Sequence, residues 1–182
     1  MLIIISGVSG VGKNTMINEL LKRYMNMYFF KTVTTRQRRQ NETDHYFWTE
    51  EDFWEAEKRG EFFEYAEVHG FHYGTLYSEL EKVASHPENI YIRDLDVHGN
   101  VAFRKELEGK VKVLSIFLEA PDNVLRQRLF ARGETEERVN VRLQRAEMER
   151  TFLGNYDHIV ENIDFKKTVA TLVKIVDANL KK

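Results

Sequence analysis

The sequence predicts an α/β protein with a parallel central sheet. An apolar run at residues 2–5 is followed by a glycine-rich turn and then by apolar residues at helical spacing from Met16 onward. Later strand-like segments alternate with helix-like ones, and they lie at residues 89–96, 111–119 and 158–161. Strands that alternate with helices pair in parallel and are covered by helices on both faces, so we expect three layers.

Length and composition indicate one globular domain. The chain has 182 residues, of which 42% are hydrophobic, and its 27 basic and 29 acidic residues give a net charge of −2. This balance does not suggest a nucleic-acid partner. The chain has no cysteine, which excludes disulfides, thiolate catalysis and cysteine zinc sites. The first apolar run is too short for a signal peptide and no later one is long enough to span a membrane, so we predict a cytoplasmic protein without a membrane partner.

The remaining elements follow from local patterns. The first helix should end near Tyr24, and an aromatic and β-branched run predicts one strand at residues 29–34. We assign no element between the strands at 89–96 and 111–119. The other predicted segments are helices at residues 50–59, 77–84, 122–131, 136–152 and from 165 onward, and strands at residues 62–68 and 73–75.

The turn at residues 7–12 has the spacing of a phosphate-binding loop. Gly7, four further residues, Gly12 and Lys13 lie between a strand and a helix, where backbone N–H groups can surround an anion. Lys13 can reach the outer phosphates of a nucleotide. The motif usually has Ser or Thr after the lysine as a magnesium ligand, whereas this chain has Asn14 and then Thr15. The candidate ATP-binding residues here are Gly7, Ser9, Gly10, Val11, Gly12, Lys13, Asn14 and Thr15.

Two further basic sets could bind phosphate. The first contains Arg36, Arg38 and Arg39, whose guanidinium groups match phosphate oxygens; a solvated charge run is the alternative. The second lies on the helices after Pro121, where Arg128 and Arg132, and Arg138 and Arg142, are each four residues apart and therefore share a helix face.

Asp94 and Asp96 end a strand of buried type. Parallel-sheet proteins bind ligands outside the carboxyl ends of their strands. A carboxylate there could hold magnesium through water, orient an arginine or bind a nucleoside, and the sequence leaves these roles open.

Several motifs together resemble the guanylate kinase family in order and spacing. They are residues 32–42, Tyr46, residues 60–70, 73–75 and 94–99, and the likeness runs from the phosphate loop to the C-terminal helix. The resemblance implies a P-loop three-layer fold in one domain, residues 1–182. Its core would cover about 1–33, 76–121 and 147–182, with a small mixed α+β insert that binds the nucleoside monophosphate at about 34–75 and a helical lid at about 122–146.

The resemblance also implies roles for individual residues. The GMP-binding set would be Thr32, Glu64, Thr75 and Asp94 at the base, with Asp96 beside them, and Arg36, Arg39, Tyr46 and Tyr73 at the phosphate. The catalytic set would be Lys13, Arg36, Arg128, Arg132 and Arg142, the last three on the lid. Asn162 would lie near the adenine of ATP, and Thr15 and Asp94 would hold Mg²⁺ directly or through water. Arg145 and Arg150 match no family position, so we expect them to pair with nearby glutamates.

Chemistry supports Glu64 as the residue that selects the base. Guanine presents N1–H and its exocyclic amine side by side, and one carboxylate can accept both hydrogen bonds. Adenine has no such donor pair on that edge, and an unpaired buried polar group costs about 1–3 kcal/mol.

The resemblance implies transfer of the γ-phosphoryl group of ATP to GMP, and to dGMP, with Mg²⁺, giving ADP and GDP. The substrates would be ATP and GMP, and the oligomeric state is not indicated. Two alternatives remain: a scaffold domain that uses the same cleft to bind a peptide, and a P-loop kinase for another phosphorylated acceptor.

The chain departs from the family pattern at Val8, Asn14 and His98, and its segment from Glu42 to Tyr46 is two residues short. The short segment affects where Tyr46 lies.

Overall fold

A computed structural model describes residues 1–40, 42–68 and 70–180. Asn41 and His69, which belong to the matching motifs, lie outside the described residues. None of the described helices combines the length and apolar character that a membrane crossing requires.

The strands are β1 Leu2–Gly7, β2 Met27–Phe29, β3 Thr32–Thr34, β4 His45–Phe47, β5 Phe62–Val68, β6 Phe71–Leu76, β7 Ile90–Asp94, β8 Val113–Glu119 and β9 His158–Glu161. The helices are α1 Lys13–Arg23, α2 Glu50–Lys58, α3 Tyr77–Ser85, α4 Val97–Leu107, α5 Asp122–Ala131, α6 Glu136–Arg150 and α7 Phe165–Leu180, with a 3-10 helix at Leu153–Asn155.

The central sheet has five parallel strands in the order β2-β7-β1-β8-β9. Successive side chains of β1 point to opposite faces of the sheet, so the core has two layers. Ile3 and Ile5 pack in one buried cluster with residues of α1 and α7, while Leu2 and Ile4 pack in another with residues of α3 and α4. The predicted three-layer α/β fold is confirmed.

A second sheet lies within residues 32–76, and its strand order is β4-β3-β6-β5. The pairing of β3 with β4 is parallel, whereas β3 with β6 and β5 with β6 are antiparallel. Helix α2 covers one face, and Phe53 from this helix is fully buried against Val33 and Phe62. Thr49 and Asp52 close a capping box at the start of α2, which fixes where the helix begins.

The single strand predicted at residues 29–34 is wrong, because the chain crosses between the two sheets there. β2 pairs with β7 in the central sheet, and β3 pairs with β4 and β6 in the second sheet. Phe30, at the crossing, is fully buried and its backbone N–H donates to the carbonyl of Ile92 at 2.8 Å. Neither glycine nor proline marks the crossing, so its composition reads as one continuous strand.

Helix α4 was not predicted from the sequence. Its buried residues are Val97, Asn100, Phe103 and Leu107, so a polar asparagine occupies the inward face and Val101 lies exposed outside it. The apolar period is therefore weak. Asp96 caps the helix, since its Oδ1 accepts from the N–H of Gly99 at 2.7 Å.

Gly74 permits the close packing of the second sheet. A Cβ at this position would lie 2.5 Å and 2.6 Å from two ring carbons of Phe62, and that ring stacks on Phe53 with centroids 4.5 Å apart. We therefore predict that Gly74→Ala lowers the free energy of unfolding by about 1–3 kcal/mol in urea denaturation. Gly154→Ala is the matched control, because a Cβ there meets nothing within 4 Å, and it should change stability by less than about 0.5 kcal/mol. Equal effects of the two substitutions would contradict this packing argument.

Candidate nucleotide site

The predicted phosphate loop joins β1 to α1. Gly12 is the residue before the first turn of α1 and has φ 100°, a conformation that favours glycine. No described side chain caps this helix, so its first N–H groups remain available to bind an anion. Gly7 has φ 151°, and a Cβ there would collide with the carbonyl oxygen of Leu118 on β8. The loop therefore has the backbone shape of an anion site.

One backbone carbonyl of this loop accepts hydrogen bonds from two side chains. The carbonyl of Val11 accepts from Asn162 Nδ2 at 2.7 Å and from Arg128 Nη1 at 3.2 Å. Asn162 is buried, and its amide contacts the backbone of the loop. The structure thus places Asn162 directly against the phosphate loop.

Lys13 points back over the loop, where its Nζ donates to the carbonyl of Gly7 at 2.6 Å. Burial lowers the pKa of Lys13; the carboxylates of Asp94 and Glu149 oppose this shift, and Arg145 and Arg132 add to it. Burial, rather than an excess of nearby positive charge, is therefore the main cause, and the ammonium group lies in a poorly solvated region. A cation in such a region favours a bound anion.

The arginines predicted to act from the lid gather at the loop. Arg142 donates to Ser9 Oγ at 2.5 Å and to Glu134 Oε2 at 2.5 Å. Arg132 is exposed, and it lies near enough to Arg128 to lower the pKa of that guanidinium, after the larger effect of burial. The pairing predicted for the two other arginines is confirmed: Arg145 binds Glu149 at 3.2 Å, and Arg150 binds Glu119 at 3.0 Å and Asp122 at 2.7 Å.

The side chains predicted to bind magnesium are exposed, on the elements next to the loop. Asp94 ends β7 and is exposed, and Thr15 and Asn14 are exposed on the first turn of α1. One oxygen of Asp96 is occupied by the capping bond to Gly99. Asp96 therefore stabilises the start of α4, and its predicted part in GMP binding stays a prediction.

Three of the residues predicted to read the base lie on one face of the second sheet, whereas the fourth, Asp94, lies at the end of β7 in the central sheet. Register pairs Glu64 with Thr75 across β5 and β6, and Thr75 Oγ1 donates to Glu64 Oε1 at 2.6 Å. Thr32 Oγ1 forms a 2.7 Å hydrogen bond with His45 Nδ1. Glu64, Thr75 and Thr32 are thus held in fixed orientations.

The phosphate-binding residues predicted on the insert are only partly brought together. Arg36 donates to the hydroxyl of Tyr73 at 3.1 Å and to Glu42 Oε1 at 2.6 Å. The hydrogen bond with Glu42, followed by that with Tyr73, raises the pKa of Arg36 against the effect of burial. Arg39 is exposed, and its backbone N–H donates to Glu42 Oε2 at 3.0 Å.

Tyr46 is not brought together with this group. It pairs with Val33 on β3 and packs against the buried core of the second sheet. Its hydroxyl donates to Glu79 Oε1 at 2.9 Å and accepts from Lys82 at 3.3 Å. These contacts place the ring on the opposite sheet face from Tyr73.

Sequence reasoning missed Arg93, which supports Glu64 from the central sheet. Arg93 is 8% exposed, and its guanidinium lies 5.3 Å from the ring centroid of Phe30 and 4.9 Å from that of Phe103. It donates to Thr75 Oγ1 at 3.2 Å, and burial lowers its pKa to about 10. A basic residue inside a strand of buried type was the available signal.

These features define a class: a parallel α/β fold with a phosphate loop and a second sheet that has one polar face, as in P-loop nucleotide kinases. A sequence model described as Guanylate kinase matches residues 1–179. The guanylate kinase of Thermotoga maritima is 39% identical, with 96% of this chain and 85% of that one covered. The guanylate kinase of Bacteroides thetaiotaomicron is 36% identical, with 100% and 90% covered. The chain belongs to the guanylate kinase family, so the resemblance seen in its motifs is confirmed.

One solved structure agrees with this assignment, and another shares only the fold. The crystal structure of guanylate kinase from Anaplasma phagocytophilum has a TM-score of 0.71 and 27% identity, and the match covers 100% of this chain and 87% of that one. A tunicamycin resistance protein of Deinococcus radiodurans, at 16% identity, has a TM-score of 0.56 over 96% of this chain and 94% of that one. The second likeness concerns the fold alone.

Glu149 gives this site a pH-dependent stability. It is 7% exposed, its Oε1 accepts from Arg145, and its Oε2 has no hydrogen-bond partner in the described part of the chain. Burial raises the pKa of Glu149, while Arg145 and Lys13 partly oppose the shift. The folded state therefore holds this proton more tightly than the unfolded state, and stability is lost as the pH rises from about 4.5 through the raised pKa.

We predict that Glu149→Gln is more stable than the natural protein at pH 7, because the glutamine stays neutral. The difference should shrink as the pH approaches 4.5. Urea denaturation at a series of pH values measures it, and Glu147→Gln, an exposed change on the same helix, should have little effect at any pH. A stabilisation that does not vary with pH would contradict the argument.

Proposed function

We propose that this chain transfers the γ-phosphoryl group of ATP to GMP, and to dGMP, giving ADP and GDP. One observation carries the proposal: a phosphate loop and a second arginine–tyrosine set lie on separate elements, with Asp94 near both. Burial lowers the pKa of both Lys13 and His45, and the carboxylate of Asp94 raises each in part. Asp94 is therefore close enough to Lys13 and to His45 for its charge to act on both. Family membership supports the same reaction.

The donor side would work by placement and charge. Phosphoryl transfer needs in-line alignment and neutralisation of the charge spread over the transferred group. The loop N–H groups and Lys13 would hold the ATP phosphates, and Arg128, Arg132 and Arg142 would surround the group being transferred. Before transfer, Arg142 would leave Ser9 or Glu134 to bind phosphate.

The acceptor side would hold GMP at both ends. Arg36 and Tyr73 would bind its phosphate, with Arg39 able to reach the same group from the surface. Glu64 would accept hydrogen bonds from N1–H and the amine of guanine, while Thr75 keeps its carboxylate in place. Thr32 completes the polar face beside the base.

Magnesium fits the oxygen-rich mouth of the loop. The hydroxyl of Thr15 and the carboxylate of Asp94 are exposed hard oxygen donors, and they would hold Mg²⁺ directly or through water. When bound, the ion would offset negative charge on the ATP phosphates. Asn14 lies beside Thr15 and adds an amide oxygen in place of a hydroxyl.

The residue ranges of the insert, about 34–75, and of the lid, about 122–146, are part of the proposal. Closure of these two segments over the substrates would exclude water and prevent ATP hydrolysis. The cytoplasmic location and the absence of a nucleic-acid partner stay predictions from composition. A scaffold role has less support, because the loop, Lys13 and the lid arginines all keep the chemistry that transfer needs.

Removing Lys13 should abolish most of the transfer. Lys13→Ala loses a cation from a half-buried site, so we predict a fall in turnover of about 10³-fold or more. GMP-dependent ADP formation at saturating ATP and Mg²⁺ measures the rate. Lys110→Ala is the matched control, because Lys110 pairs with Glu106 on the surface, and it should keep the natural rate. An unchanged rate in Lys13→Ala would remove the loop from the mechanism.

Changing Glu64 should relax the choice of base. Glu64→Gln turns one acceptor oxygen into a donor that opposes the donors of guanine. We expect GMP affinity to fall roughly 10- to 100-fold while AMP affinity stays weak or rises. Calorimetric titration of GMP and AMP into both proteins measures this. If the variant keeps the natural preference for GMP, another residue selects the base.

A further inference from the structure

We propose that His45, in place of Tyr46, contacts the phosphate of the acceptor nucleotide beside Arg36 and Tyr73. The inference rests on the proposed function and assigns a residue to its acceptor site. It follows from which side chains share a face of the second sheet.

Strand register sets the two faces. In the antiparallel and parallel ladders of this sheet, paired residues point to the same side. Thr34 pairs with Tyr73, Thr32 pairs with His45, and Glu64 pairs with Thr75. Alternation along β3 and β6 then brings all these residues to one polar face, and contacts between them agree. The ring centroids of His45 and Tyr73 are 5.8 Å apart.

Tyr46 belongs to the other face. Its partner on β3 is Val33, whose other neighbour across the sheet is Gly74. This face packs on Phe53 and Phe62 to form the apolar core of the sheet. Since a shift of one residue in register moves a side chain to the opposite face, the short segment before β4 decides which residue faces the nucleotide.

His45 has the chemistry that the position needs. Burial lowers its pKa, so the imidazole is neutral at neutral pH; Asp44, Glu42 and Asp94 partly oppose this shift and Arg36 adds to it. A neutral ring with Nδ1 as acceptor takes the hydrogen of the Thr32 hydroxyl, and its Nε2–H is then a donor. A tyrosine hydroxyl would offer phosphate the same kind of neutral donor.

Within the part of the chain that the structure describes, Nε2 forms no other hydrogen bond. The nearest carboxylate oxygen recorded for it is Asp44 Oδ2 at 3.9 Å, which is beyond hydrogen-bond distance. Glu42, which could compete, already binds the guanidinium of Arg36 and the backbone of Arg39. A phosphate between Arg36 and Tyr73 would therefore also meet the imidazole edge.

The test compares substitutions on the two faces of β4 by their effects on the binding of two ligands. His45→Phe keeps an aromatic ring but removes the donor, His45→Gln keeps an N–H near the position of Nε2, and Tyr46→Phe removes only the hydroxyl on the other face. GMP and guanosine are titrated calorimetrically into each protein, because the two ligands differ only in the phosphate. Guanosine binding also shows that a variant is folded.

We expect His45→Phe to weaken GMP binding about tenfold or more, as for a lost hydrogen bond to a charged group, and to change guanosine binding less than about twofold. His45→Gln should recover part of the loss, and Tyr46→Phe should bind both ligands as the natural protein does. The inference is overturned if His45→Phe binds GMP normally, if guanosine binding falls equally, or if Tyr46→Phe alone loses GMP. A natural protein that binds GMP but forms no ADP would contradict the proposed function and leave this comparison valid.

Discussion

The pairing of β1 with β7 is the constraint on which the candidate site depends. Their parallel register sets Ile5 beside Asp94, so the phosphate loop after β1 and the acidic end of β7 emerge at the same edge of the sheet. Because successive side chains of a strand point to opposite faces of the sheet, the last two residues of β7 contact different parts of the protein. Asp94 lies on the side of α1 and the loop, and Arg93 reaches Thr75 on the second sheet. One strand thereby connects the loop to the face that would read the base.

This connection has an energetic cost that the structure offsets locally. A buried guanidinium is expensive unless it is paired or hydrogen-bonded, and Arg93 meets that need with the hydroxyl of Thr75 and with the faces of two phenylalanine rings. Thr75 in turn donates a hydrogen bond to Glu64, which orients the carboxylate of that residue. The carboxylate that would accept the guanine edge is therefore fixed from the core of the protein, so the proposed base selection would depend on the packing of α4 and β7 as well as on the insert.

The parts of the molecule that the sequence predicts well are those whose signal is local. The strand, loop and first helix follow from an apolar run, glycine spacing and helical periodicity, all within residues 2–21. Helix α4 could not be found this way, because Asn100 occupies its buried face, and the crossing at Phe30 has no turn residue. In the site, Glu64 and Arg36 could be named from motifs alone. The face on which His45 and Tyr46 lie could not, since it depends on the register between strands that are distant in sequence.

In the proposed reaction, the γ-phosphoryl group of ATP passes from the loop to an acceptor bound on the polar face of the second sheet. The most direct test of this reaction follows the label from ATP that carries a radioactive γ-phosphate, incubated with the natural protein, Mg²⁺ and either GMP, AMP or no acceptor. We expect labelled GDP with GMP, in support of this reaction, and little labelled inorganic phosphate in any mixture. Labelled inorganic phosphate formed at the same rate with and without GMP, and no labelled GDP, would contradict it.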